Sequence, residues 1–88
     1  MLDLVDAHGQ LGQTGGAAPG RIGRNLDHFA VRVEPFDLDR ILDFCRRLDI
    51  TATPASQLLL GADGHGQAVF IEDPDGNRIE LKGPAQDV

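Results

Sequence analysis

Apolar and polar residues alternate along Leu26–Val33, which predicts a β-strand. Its two faces would carry Phe29, Val31 and Val33 on one side and His28, Ala30 and Arg32 on the other. From Leu38 to Leu48 the apolar residues instead recur at intervals of three and four, which predicts an amphipathic helix. Asp37 stands directly before that run and is a candidate N-cap.

Three further strands are predicted after the helix, at Thr51–Leu60, Ala68–Ile71 and Asn77–Lys82. The first of them contains Pro54, which is typical of an edge strand or a bend. Residues 61–66 are rich in glycine and are predicted to form a loop. Residues 73–76 read Asp-Pro-Asp-Gly, a strong turn signal. The predicted order from residue 26 is therefore β-α-β-β-β, an α+β fold.

These strands would form a sheet with one apolar face and one mixed face. The apolar face, which the helix can cover, comprises Phe29, Val31, Val33, Val69, Ile71, Ile79 and Leu81. The mixed face comprises His28, Ala30, Arg32, Ala68, Phe70 and Glu80. Because no second helix is predicted, the mixed face would either line a cavity or be covered by another sheet.

The part of the chain before the first strand has a different composition. Residues 1–7 contain a short alternating segment, Leu2 to Asp6, that predicts one strand. Residues 8–25 hold six of the eleven glycines, two arginines and no acid, which is typical of an exposed linker. The predicted organisation is thus a strand at 1–7, a linker at 8–25, a module at 26–84 and a tail at 85–88.

Charge and cysteine content narrow the possible partners. The formal net charge of −6 argues against nucleic acid and against an anionic membrane surface. A single cysteine, Cys45, excludes an internal disulfide and fits a reducing compartment. The first residues lack the basic and apolar regions of a secretory signal. We therefore expect a cytoplasmic protein.

His28 and Glu80 are the candidate functional residues of the mixed face. An imidazole and a carboxylate that converge from rigid strands suit a divalent transition metal. The alternative is that His28 is an ordinary half-buried histidine and that Glu80 belongs to a solvated edge. His8 and His65 lie in glycine-rich loops, where surface histidines are common, and Cys45 is expected to be a core thiol.

Two segments resemble the glyoxalase/bleomycin-resistance/dioxygenase family, also called the vicinal oxygen chelate superfamily. They are residues 25–33, which read NLDHFAVRV, and residues 70–81, which read FIEDPDGNRIEL. The resemblance covers about residues 25–84 and implies a βαβββ module. In this family two such modules pair to form a curved sheet around a metal and substrate site.

The resemblance also implies roles for individual residues. His28 and Glu80 would be ligands of a divalent metal ion (Zn, Ni, Mn or Fe), and Glu80 would also be the catalytic base. The metal would act on vicinal oxygens of a small oxygen-rich substrate, in glyoxalase-type lyase or isomerase chemistry, with dioxygenase chemistry as the second choice. From their position near the expected cavity, rather than from the resemblance, Arg32, Phe70 and Arg78 are expected to contact the substrate, and the positive charge of Arg32, Arg78 and Lys82 could attract an anionic one. The alternative is that these charged side chains are solvated strand residues.

The resemblance covers a single module. Leu2-Asp3-Leu4 aligns with Ile79-Glu80-Leu81, so that Asp3 would correspond to Glu80 as the remnant of a first module. We expect a homodimer in which two His28 and two Glu80 meet at a twofold axis. The alternatives are a non-catalytic small-molecule binding module, as in antibiotic-sequestering members, and a truncated inactive fragment.

Overall fold

The computed structural model describes residues 5–20, 22–23 and 26–87, and these residues form a mixed α+β fold. Its elements in chain order are β1 (Phe29–Arg32), α1 (Leu38–Arg47), β2 (Ala52–Pro54), β3 (Leu59–Gly61), β4 (Gly64–Gly66), β5 (Ala68–Glu72) and β6 (Arg78–Lys82). A single 3-10 turn, Gly12–Gly15, precedes them. Most of the predicted first strand, including Asp3, lies outside the described residues.

Four of the strands form one sheet in the order β1-β6-β5-β2. β1 runs parallel to β6, and the other neighbours are antiparallel. The pairing sets Val31 opposite Leu81 and Leu81 opposite Val69, so the predicted apolar face is continuous across three strands. On the other face Ala30 lies opposite Glu80, and Glu80 lies opposite Phe70. The predicted distribution of residues over the two faces of these strands is confirmed.

The segment between β2 and β5 differs from the prediction. The predicted strand Thr51–Leu60 is divided after Pro54 into β2 and β3, because a proline cannot donate to a strand ladder. The predicted loop at residues 61–66 is instead the turn and second strand of a β-hairpin, in which β3 pairs with β4. Gly64, with a φ of 129°, provides the tight turn.

The helix α1 begins and ends as its charges predict. The side chain of Asp37 accepts a hydrogen bond from the backbone N–H of Arg40 at 3.1 Å, which caps the N-terminus. Arg47 pairs with Asp43 one turn earlier at 2.8 Å. Cys45 is buried, as expected of a core thiol. Leu48, which was predicted on the packed face, lies at the C-cap and is 55% exposed.

The core of the single chain is small. Its buried apolar residues are Cys45, Ala68 and Val69, and Val69 has no exposed surface. Val31, on the same face of the edge strand β1, is 42% exposed because α1 packs against β2 at the far edge of the sheet. The apolar face of the sheet is therefore only partly covered in the single chain.

The β3–β4 hairpin folds across one end of the mixed face. Lys82 is buried there and its ammonium donates to the carbonyl of Gly64 at 3.3 Å. The C-terminal segment crosses beside the hairpin, where the N–H of Gln86 donates to the carbonyl of His65 at 2.7 Å. A Cβ on Gly66 would lie 2.4 Å from the carbonyl oxygen of Pro84, so this crossing requires glycine.

The turn between β5 and β6 is organised by Asp73. Its Oδ1 accepts from the backbone N–H groups of Asp75 at 2.9 Å and Asn77 at 2.7 Å, and its Oδ2 accepts from the Asn77 side-chain amide at 2.8 Å. Bonds to the ionised carboxylate, above all from the Asn77 amide, lower the pKa of Asp73 below its ordinary value. The turn thereby sets the pairing that places Phe70 opposite Glu80.

We expect the contribution of Asp73 to stability to depend on pH. Because its pKa is lower in the folded state, its contribution is present above the unfolded pKa of about 3.8 and is lost as the pH falls through the lower folded-state pKa. Asp73→Asn should therefore be less stable than the parent protein at pH 7, and the difference should shrink steadily as the pH is lowered below about 4 in urea unfolding. Asp75→Asn, at an exposed position of the same turn, is the matched control. A deficit for Asp73→Asn that is constant across this range would contradict the assignment.

Candidate functional site

His28 and Glu80 lie side by side on the mixed face of the sheet. His28 directly precedes β1, Glu80 is the central residue of β6, and the parallel pairing of these strands brings them together. The distance from His28 Nε2 to Glu80 Oε1 is 3.4 Å. Glu80 is 7% exposed and His28 is half-buried. The structure thus brings together two residues that lie far apart in the sequence.

The preceding residue, Asp27, orients the imidazole. Its Oδ2 lies 2.6 Å from His28 Nδ1. Because an ionised carboxylate only accepts hydrogen bonds, the proton belongs on Nδ1, and in the neutral ring Nε2 then presents a lone pair toward Glu80. Two acceptors that face each other require a proton or a cation between them. Sequence reasoning missed this role of Asp27, although its position next to His28 was a usable signal.

The spacing of the two donors fits one cation. A distance of 3.4 Å is long for a hydrogen bond. Two ligands bound at about 2.1 Å to the same ion lie about 3.4 Å apart in tetrahedral geometry and about 3.0 Å apart in octahedral geometry. The residues that the structure describes contain no cluster of three or more candidate ligands. One described chain therefore offers two ligands and leaves the rest of a coordination sphere to be supplied.

Phe70 and Arg78 complete the same group of side chains. The Phe70 ring meets the His28 ring edge-on, with 5.9 Å between their centroids and 78° between their planes. The guanidinium carbon of Arg78 lies 4.4 Å from the centre of the Phe70 ring. Two of the three predicted substrate contacts are therefore gathered beside His28 and Glu80.

Arg32, the third predicted substrate contact, lies at the hairpin end of the face. It pairs with Glu34 at 2.6 Å and with Asp63 in the turn of the β3–β4 hairpin. These two carboxylates raise the pKa of the Arg32 guanidinium above its ordinary value, and the hydrogen bond with Glu34 has the largest effect. Arg32 and both partners are exposed, so these pairs contribute little to stability, and the pair with Asp63 links β1 to the hairpin. Arg32 is thus engaged with carboxylates of its own chain.

The other two histidines lie elsewhere. The His65 ring contacts Asp87 at 2.6 Å, and its backbone N–H donates to the same carboxylate at 2.8 Å. This contact lowers the pKa of Asp87 and joins the C-terminal segment to the hairpin. The backbone of His8 bonds to Asp6 and Gln13 in the N-terminal segment. Neither histidine joins the group around Glu80.

Two depressions, of about 310 and 320 Å³, lie at the two ends of α1. The first is lined by residues such as Arg46 and Ile50, and the second by residues such as Leu38 and Leu58. Neither of these two depressions includes His28 or Glu80.

Comparison of the chain with protein-family models, with curated proteins and with solved structures found no match. No helix in the described part of the chain combines the length and the apolar composition that a membrane span requires.

Proposed function

We propose that this chain is a metal-dependent protein of the glyoxalase/bleomycin-resistance/dioxygenase type that acts as a homodimer. It would bind one divalent cation and a small oxygen-rich substrate between two copies of the mixed face. The observation that carries the proposal is the 3.4 Å separation of His28 Nε2 and Glu80 Oε1, with Nδ1 already held by Asp27. That arrangement is the one expected of a histidine ligand oriented by a neighbouring carboxylate.

The number of donors favours a dimer. A second copy related by a twofold axis would contribute another His28 and another Glu80, which gives four ligands. Six-coordinate ions such as Mn²⁺, Fe²⁺ or Ni²⁺ would then keep two positions open for two substrate oxygens.

The residues present suit proton transfer next to a polarised oxygen. The bound cation would supply Lewis acidity to vicinal substrate oxygens. Glu80, buried and close to that position, is the candidate base that moves a proton between adjacent substrate carbons. Asp27 holds the ring of His28, and Phe70 packs beside it to limit water. This combination supports an isomerase or lyase of the glyoxalase type.

Metal content and oligomeric state measured together test the proposal. Protein stripped with EDTA is dialysed against Zn²⁺, Ni²⁺, Mn²⁺ or anaerobic Fe²⁺, and metal content is determined beside sedimentation equilibrium. We expect one tightly held ion per two chains and a dimer that the ion strengthens, since binding to the dimer alone shifts the equilibrium by mass action. A folded monomer at micromolar concentration, or a dimer that holds no stoichiometric metal, would contradict it. The second result would favour a non-catalytic binding module.

A further inference from the structure

Arg78 places a guanidinium on the mixed face, beside the candidate site. It stands two residues before Glu80 on β6, and side chains two apart on a strand share a face. Among the residues that the structure describes, no carboxylate forms an ion pair with Arg78, whereas Arg32 and Arg47 are both paired. A charged side chain without an internal partner, beside a candidate site, is a candidate for ligand binding.

Phe70 holds this guanidinium in place. The ring lies 4.4 Å from the guanidinium carbon and packs edge-on against His28. Such stacking restricts the flexible arginine and leaves the N–H groups at the edge of its plane free. A planar fork of this kind matches a carboxylate, which it binds through two parallel hydrogen bonds. The distance from the guanidinium to the His28 ring is at most the sum of the two contacts, so a small molecule can reach both.

The surrounding charge favours a ligand with a single negative charge. Glu72 lies directly opposite Arg78 in the β5–β6 pairing, Glu80 lies two residues further along β6, and Asp27 contacts the ring of His28. These three carboxylates repel a phosphate dianion more strongly than a monoanion. The helix that could offer backbone N–H groups to a phosphate packs on the opposite face.

We infer that Arg78, stacked on Phe70, binds the carboxylate of a small monoanionic organic acid and directs the rest of that molecule toward His28 and Glu80. The identification of this acid as the substrate rests on the proposed function, whereas the carboxylate site itself does not. Ligand specificity would then depend on two parts of the mixed face. Arg78 selects the carboxylate end, and the residues around Glu80 receive the oxygens at the other end.

Benzoate is a suitable probe because it has one planar carboxylate and an apolar ring. Titration into EDTA-treated protein, followed by NMR at the arginine Nε–Hε and Phe70 amide signals, should give saturable shifts. Arg78→Lys, which keeps the charge and loses the fork, should weaken binding at least about tenfold. Phe70→Leu should weaken it less, and Glu72→Gln should strengthen it. Arg46→Ala, an exposed charge on α1, should leave it within about twofold.

Several results would overturn the inference. They are the absence of saturable shifts, equal losses in Arg46→Ala and Arg78→Lys, and tighter binding of inorganic phosphate than of benzoate. The experiment is independent of the metal. Benzoate binding that requires Arg78 in a protein that takes up no cation would preserve the carboxylate site and reject the proposed function. Metal-bound dimers that do not bind benzoate would preserve the proposed function and reject the carboxylate site.

Discussion

Replacing His28 with alanine is expected to lower the affinity for the divalent cation by at least about 1,000-fold. Four-ligand protein sites bind Zn²⁺ with about 10–16 kcal/mol, so the loss of two ligands from a twofold site removes about half of that energy. Glu80→Ala should have a similar effect, since it removes the other pair of ligands. Competition with a chromogenic chelator gives the affinities, and the metal-dependent rise in melting temperature gives an independent readout.

The matched control for this experiment is His65→Ala. His65 is also a surface imidazole in contact with an aspartate, but it lies on the hairpin with Asp87. Its replacement should leave metal affinity unchanged. If His65→Ala and His28→Ala lower the affinity equally, the bound ion is held by scattered imidazoles and the paired site is rejected. The contact between Asp27 and His28 is tested with Asp27→Ala, which should weaken metal binding. If this variant keeps the full metal affinity, the contact at 2.6 Å does not orient His28 as a ligand.

Val69→Asp is expected to unfold the domain. Val69 has no exposed surface and lies at the centre of the apolar face, so the new carboxylate would be buried without a partner. That burial costs several kcal/mol, against a total stability of about 4–13 kcal/mol for a chain of this length. Circular dichroism and the loss of a cooperative urea transition would show the effect.

Val31→Asp provides the comparison for Val69→Asp. Val31 lies on the same face of the same sheet but is 42% exposed. Its replacement should cost about 1 kcal/mol or less, which is usual for exposed positions. If both variants unfold, the apolar surface of β1 belongs to the core, and the small core described above is wrong.

The faces of the sheet could be predicted from the sequence because alternation along a strand leaves little choice. Phe29 and Val31 share one side, and His28 and Glu80 the other, whatever the order of the strands. The helix could be predicted as well, with Asp37 as its cap. The periodicity of the sequence does not show which strands are neighbours in the sheet. It is the pairing of β1 with β6 that brings His28 next to Glu80.

The β3–β4 hairpin and the ion pairs of Arg32 could not be predicted in this way. Gly64-His65-Gly66 has no apolar alternation and no β-branched residue, so its composition favours a loop, and only pairing with Leu59–Gly61 makes it a strand. Arg32 meets Asp63 across the fold, and a contact between distant residues leaves no trace in local spacing. The exposure of Leu48 depends likewise on where the helix lies over the sheet.

The parallel pairing of β1 with β6 also governs the order in which this fold can be assembled. Phe29 pairs with Ile79, so β1 has no partner in the sheet until nearly all of the module has been synthesised. The hairpins β3–β4 and β5–β6 close short loops and can form early, whereas β1 must close a long one at a greater cost in chain entropy. We therefore expect the contact between His28 and Glu80 to form late in folding and to be lost whenever the edge strand detaches.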